Sequence, residues 1–361
     1  MAGLSEKRVL PVGTDPSYEV NLGLALADLP AAISGLVAPP RQVRLVSDER
    51  VFALYGGDLV AGLRAAGYQV ATDLVPPGEK SKTIPVWTDL MNRWAAEKVH
   101  RDDLVLALGG GVIGDLAGFA AASYVRGIRM VQVPTTLLAA LDASVGGKTA
   151  LNLPAGKNLV GAFKQPLAVF CPTETLASLS QTDWQNGLAE LVKTAVLTDP
   201  ALFDRLEAGP LTGTSPDLTA VLARAVGHKI RYVEADPCER GIRAHLNLGH
   251  TLAHAIEQAS GHAIAHGHAV AIGLAFISRV AVNLGRLSPE DGDRIIRVLT
   301  AHGLPVTTGY DRATLLEAIQ RDKKATAGGV RWILPVAIGS CIDYPVSYTD
   351  LPGFLEKGGL S

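Results

Sequence analysis

One junction constrains the fold more than any other feature of this chain. The stretch Asp103 to Leu108 reads as a buried strand, meets Gly109-Gly110-Gly111, and gives way to a helical pattern from Ile113 to Ala122. A strand handed to a helix through a glycine turn is the opening half of a βαβ unit. The same alternation flanks it. Arg44 to Ser47 predicts a strand, Asp48 an N-cap for a helix reaching about Ala66, Gln69 to Val75 a strand, Thr83 to Glu97 a helix and Arg129 to Val133 a strand. Such a pattern predicts a mostly parallel, Rossmann-like sheet.

Beyond about Trp184 the period changes to 3.6. It predicts helices over Gln185–Leu197, Asp217–Ala235, Arg243–Ala259, His266–Leu284 and Pro289–His302, with only Arg331 to Val336 strand-like. With 361 residues the chain exceeds what one core ordinarily serves. We therefore expect an α/β N-terminal domain over residues 1–175 and a mainly α-helical C-terminal domain over residues 176–361, joined within residues 170–184.

At 48% hydrophobic and 19% charged, the chain can bury a core, which excludes intrinsic disorder. A net charge of −2 gives no general attraction to nucleic acid or an anionic membrane. Cys171, Cys238 and Cys341 are too few and too scattered for a disulfide framework and suit a reducing compartment. The first residues lack the apolar stretch of a signal peptide, and the longest apolar run, Ala269 to Ile277, is about half a membrane span. A cytoplasmic protein is expected.

Four segments carry chemistry. The glycine turn lets backbone N–H groups at a helix start approach a pyrophosphate, although it is not GxGxxG. Pro76-Pro-Gly78-Glu79-Lys-Ser-Lys82 alone reads as a charged surface loop. Thr135-Thr136, Asp142-Ala-Ser-Val-Gly146-Gly147-Lys148 and Gly156-Lys157-Asn158 crowd hydroxyls, glycines and lysines suited to an anion. Asp142 stands where a Walker A loop needs glycine, which argues against nucleoside triphosphate hydrolysis.

The fourth segment is the densest. Six of the nine histidines lie between His245 and His268, where even scatter would put fewer than one. On a continuous helix, Glu239, Arg243, Asn247, His250 and His254 would share an arc of roughly 80°. So polar a stripe is costly to bury unpaired. His250 and His254, at i and i+4, could share a metal. Upstream, Asn186, Glu190 and Lys193 fall on one helical face. One carboxylate with two histidines and an open position is a catalytic zinc set.

In order from Asp48 to Lys324, these pieces resemble the 3-dehydroquinate synthases of the sugar phosphate cyclase superfamily. The resemblance rests on Gly78-Glu79-Lys-Ser-Lys82, Gly109 to Asp115, Tyr124-Val-Arg126-Gly, Pro134-Thr-Thr136, Asp142 to Lys148, Gly156-Lys-Asn158 and Asn186-Gly-Leu-Ala-Glu190-Leu-Val-Lys193. It continues through Leu246-Asn-Leu-Gly-His250-Thr-Leu-Ala-His254-Ala-Ile-Glu257, His266-Gly and Asp322-Lys-Lys324. It implies an NAD-binding α/β domain and a helical domain binding a divalent metal, zinc or cobalt, with the active site between them. It also implies a homodimer on the shikimate route to aromatic amino acids. The substrate would be 3-deoxy-D-arabino-heptulosonate 7-phosphate, and the products 3-dehydroquinate and phosphate.

Residue by residue, the resemblance implies Glu190, His250 and His266 as metal ligands. NAD contacts would come from Asp48, Glu79, Lys82, Gly110, Gly111, Val112, Asp115, Thr135, Thr136 and Lys157. Substrate contacts would come from Asp142, Lys148, Asn158, Lys229, one of Lys323 and Lys324, and Arg126 across a dimer interface. The catalytic set would be Glu239 and His254 for proton transfer, with Lys193, Arg243 and Asn247 on the substrate.

Two positions depart from the family. His268 stands where it usually has glutamate, and Ala253 where it often has glycine. His268 is a rival ligand, but residues i and i+2 point to different helix faces, so His266 is expected to bind. A cyclase acting on sedoheptulose 7-phosphate, a metal-dependent NAD polyol dehydrogenase and a non-catalytic binding module are the competing readings. Arg243, Asn247 and His254 keep the dehydroquinate synthase types, and neither a simple dehydrogenase nor a binding module needs the whole set.

Overall fold

The computed structural model describes residues 6–39, 41–239, 241–261, 263–320 and 328–360. Lys323 and Lys324, expected near substrate, lie outside the described residues. The strands, in chain order, are β1 (Arg8–Val12), β2 (Tyr18–Leu22), β3 (Gln42–Asp48), β4 (Gln69–Val75), β5 (Leu104–Gly109), β6 (Arg129–Pro134), β7 (Lys148–Leu153), β8 (Gly156–Phe163), β9 (Ala168–Cys171), β10 (Val330–Ala337) and β11 (Ser340–Val346).

Seven of them form a sheet in the order β1-β2-β9-β6-β5-β3-β4, parallel except for β1 against β2. The interior strand β5 is buried at every position. Leu104, Leu106 and Leu108 face one layer with Val43, Leu45 and Val131, under the helices Leu29–Leu36 and Gly57–Ala65. Val105 and Ala107 face the other with Val46 and Met130, under Ile84–Ala96 and Gly111–Ser123. Helices on both faces explain why the parallel strands read as nearly unbroken apolar runs.

The chain divides into two compact units, Met1–Leu179 with Gly213–Cys238, and Ser180–Thr212 with Glu239–Ser361. The helix Leu218–Ala235, expected in the second domain, therefore groups with the first unit. There Glu234 accepts from Gly13 N at 2.6 Å, and Lys229 pairs with Asp142. The second unit is mainly helical, and its β10–β11 hairpin contains the expected strand together with a partner that the sequence pattern hid. β1, β2, β9 and the β7–β8 hairpin were also not evident from the pattern.

One expectation is overturned. Arg243–Ala259 is not a continuous helix: a 3-10 turn over Ile242–Asn247 ends at Leu248, and an α-helix starts afresh at His250. Gly249 between them has φ 77°, in the left-handed region that favours glycine. A Cβ there would lie 2.9 Å from the backbone N of Leu274. Glu239 also has a left-handed φ of 54°, so the five polar residues do not form one helical stripe. Among the described residues, no helix is long and apolar enough to cross a membrane.

Candidate active site

Glu190, His250 and His266 converge in the second unit, their ligand atoms all within 4.8 Å of one another. Three helices present them. Gln181–Thr198, N-capped by Ser180, carries Glu190; His250–Ala259 and His266–Asn283 each begin with a histidine. The last two cross where Gly273 meets Gly249, so closely that a Cβ on Gly273 would fall 2.0 Å from the Gly249 carbonyl oxygen. The start of the third helix is tied to the first, because Gly267 N donates to Asn186 Oδ1 at 2.9 Å.

Nε2 of His250 and Nε2 of His266 both stand 3.3 Å from Glu190 Oε1, and the Lys193 ammonium lies against Oε2. Among the described residues, neither carboxylate oxygen makes a hydrogen bond of ordinary geometry, although both are buried. A divalent ion fits such a group: one carboxylate and two imidazoles aimed at a common point. The His250 tautomer is already set. A carbonyl can only accept, so Nδ1 at 3.1 Å from Leu248 O carries the proton, and Nε2 keeps its lone pair.

Burial opposes charge on Glu190, but Lys193 and His250 overcome it and hold the carboxyl well below its usual range. Burial pushes His250 down to about 4, against the pull of Glu190. Burial also opposes charge on His266, yet the adjacent carboxylates of Glu190 and Glu257 raise it to about 10. The rival, His268, faces away from this group, with Nε2 3.1 Å from Gln185 Oε1.

Several contacts involve the expected catalytic residues. The His254 ring meets the His250 ring edge-on at 5.7 Å between centroids. Asn247 Nδ2 donates to Glu239 Oε1 at 3.3 Å and to Ala244 O at 3.0 Å. Arg243 is 1% exposed.

In the first unit, Gly110 N-caps the helix that begins Gly111-Val112. First-turn N–H groups have no intrahelical partner, which leaves them available to an anion. A Cβ on Gly110 would sit 3.0 Å from Thr136 Cγ2, so space rather than φ demands glycine. The buried Thr135 hydroxyl has no hydrogen-bond partner among the described residues. These features fit a dinucleotide cradle. After β3, Asp48 caps the helical turn beginning at Glu49 by accepting from Val51 N at 2.9 Å. Lys82 pairs with Asp115 and donates to Asn158 Oδ1 at 2.5 Å. Burial raises the Asp115 carboxyl above its ordinary value, partly offset by Lys82. Lys148 opens β7 and is exposed, Lys157 and Asn158 lie on β8, and exposed Arg126 has φ 64°.

Sequence reasoning missed Asn152. Its Nδ2 donates to Glu79 Oε2 at 2.7 Å, and its Oδ1 accepts from Asn158 N at 3.0 Å, joining an expected NAD residue to an expected substrate residue. The signal was one amide between two leucines, weak by itself.

Residues 72–186 match the family model described as 3-dehydroquinate synthase N-terminal, and residues 187–325 the one described as 3-dehydroquinate synthase C-terminal. A 3-dehydroquinate synthase of Synechococcus sp. is 42% identical over 334 residues, covering 90% of each chain. The solved structure of 2-epi-5-epi-valiolone synthase from Streptomyces hygroscopicus, with NAD+ and Zn2+ bound, is 28% identical with a TM-score of 0.83, over 95% of this chain and 96% of that one. A 2-deoxy-scyllo-inosose synthase complexed with carbaglucose-6-phosphate, NAD+ and Co2+ shares the fold at a TM-score of 0.85 and 24% identity, over 97% of this chain and all of that one. One model runs through the glycine turn and the other through His250 and His266, so the chain belongs to the 3-dehydroquinate synthase family.

Proposed function

We propose that this chain is a 3-dehydroquinate synthase, a lyase that converts 3-deoxy-D-arabino-heptulosonate 7-phosphate to 3-dehydroquinate and phosphate with NAD and a divalent ion, zinc or cobalt. The observation that carries the reading is the convergence of buried Glu190 and His250 with half-buried His266, with Lys193 against the carboxylate. When bound, NAD takes and returns a hydride and the ion lowers the pKa of substrate hydroxyls.

This chain's residues divide the remaining work. Glu190, His250 and His266 hold the ion. The backbone of Gly110, Gly111 and Val112, with Thr135 and Thr136, holds the dinucleotide phosphates, alongside Asp48, Glu79, Lys82, Asp115 and Lys157. Lys148 and Arg126 take the charge of the departing phosphate, while Asp142, Asn158 and Lys229 orient the sugar. Arg243 offers a forked donor set to the substrate carboxylate, and Asn247 an amide beside it. His254 and Glu239 move protons, as positioned imidazole and carboxylate groups can. Lys193 offsets the Glu190 charge and donates to a substrate oxygen. A homodimer and a cytoplasmic location complete the proposal. Three free cysteines are compatible with the location, and light scattering on the purified protein tests the dimer.

The decisive assay supplies enzyme, zinc and the seven-carbon substrate with NAD far below substrate concentration, following phosphate and NADH absorbance together. Many phosphates per NAD without lasting NADH are expected. Phosphate release that stops once NAD is spent would leave an oxidoreductase instead, and turnover of sedoheptulose 7-phosphate alone would mark a different cyclase.

A further inference from the structure

Glu257 occurs in the motif that follows His250, yet no role attaches to it above. It lies seven residues after His250, two turns along the same helix, and is 6% exposed. Its Oε2 stands 3.5 Å from Nδ1 of His266, while Nε2 of that ring points at Glu190. An imidazole binds a cation through one nitrogen only if its proton sits on the other, and an outer hydrogen-bond acceptor decides which.

We propose that Glu257 is a positioning residue: it accepts the Nδ1 proton of His266, fixes the ring's plane and tautomer, and so selects His266 rather than His268 as the third ligand. Three contacts support this. His250 achieves the same tautomer by donating Nδ1–H to the Leu248 carbonyl, so both rings present Nε2 to the Glu190 side. His268 is engaged elsewhere, with Nε2 at 3.1 Å from Gln185 Oε1. Gln185 is itself anchored, donating Nε2–H to Gly303 O at 2.9 Å. The two competing histidines are thus sorted by what holds their outer edges, a buried carboxylate for one and an amide on a neighbouring helix for the other.

The inference rests on the proposed metal site, and the test separates the two. Zinc affinity is measured by competition with a chelating dye for the parent, Glu257→Ala and Glu257→Gln, with circular dichroism to confirm folding. The parent is expected to bind one zinc. Glu257→Ala should bind 10- to 100-fold more weakly, the usual effect of removing an outer-shell partner. Glu257→Gln, which keeps an acceptor of the same length, should recover part of the loss. The cobalt-substituted alanine variant should show an altered visible spectrum, which a purely structural role would not produce. Nitrogen-15 histidine spectra of the zinc-loaded parent, which need no variant, should place the His266 proton on Nδ1. A parent without zinc removes the metal site and this inference together. Unchanged affinity and spectrum in Glu257→Ala, or a His266 proton on Nε2, overturns the role of Glu257 alone.

Discussion

Asn186, four residues before Glu190, accepts through Oδ1 the backbone N–H of Gly267, one residue past His266, at 2.9 Å. A Cβ on Gly267 would lie 2.4 Å from the Asn186 Cα, so no side chain fits without backbone movement. Gly267→Ala should destabilise the protein by about 1–3 kcal/mol, as overpacking does, and should lower bound zinc. Thermal unfolding and elemental analysis check this; an unchanged midpoint with full zinc would refute it.

Asn152 bridges Glu79 and Asn158 through both ends of its amide. Asn152→Ala removes two hydrogen bonds near the solvent boundary, each of net value about 1 kcal/mol. On the proposed reading, KM for NAD rises about threefold to tenfold. Steady-state kinetics with varied NAD measures this, and an unaltered KM for both NAD and sugar phosphate would disconnect Asn152 from the site.

Under the sheet, Arg44 and Asp73 form a buried pair, 1% and 0% exposed. Arg44 reaches both Asp73 oxygens, at 3.0 and 2.7 Å, and Trp94 Nε1 donates to the same carboxylate at 2.8 Å. Asp73→Ala leaves the buried guanidinium only its Nη1 contact to the half-exposed Glu97 and should cost about 3 kcal/mol, whereas Arg44→Met with Asp73→Leu should recover most of it. Urea unfolding decides: equal losses in the single and double variants would contradict this account.

The cysteines should differ in reactivity. Burial pushes the thiols of Cys171 and Cys341 up to about 12, while Cys238 is exposed. A raised pKa keeps the thiol protonated until pH approaches that value, so at pH 8 only about one in ten thousand of such groups is thiolate. One fast equivalent of thiol reagent is expected at pH 8, from Cys238, with half-buried Cys341 slower and Cys171 released only on unfolding. Rapid labelling of Cys171 in the folded protein would be the contrary result.

The parallel sheet was largely legible because its strands are apolar on both faces, and β4 begins and ends at the expected Gln69 and Val75. What the pattern hid has physical causes. β11 alternates polar and half-exposed residues and contains Pro345, so it reads as a loop. β7 begins with Lys148-Thr149, whose likeness to a phosphate loop masked a strand. Helical spacing alone cannot reveal that Gly249 adopts a left-handed φ, so the polar stripe looked continuous. The convergence of Glu190, His250 and His266 was legible because the motif order was distinctive. The Arg44–Asp73 pair could not, because it depends on the register of two adjacent strands.

The crossing of Gly249 over Gly273 has a mechanical consequence. Both histidine-bearing helices touch there main chain to main chain, and no soft side chain separates them. The jaws that carry His250 and His266 therefore share a stiff pivot, and the spacing between their rings is set by the backbone. On the proposed reading, an ion of different radius would be met mainly by the Glu190 carboxylate, whose longer side chain has more torsions to turn than an imidazole. Tolerance for zinc or cobalt would thus reside in a single side chain, gripped on one oxygen by Lys193.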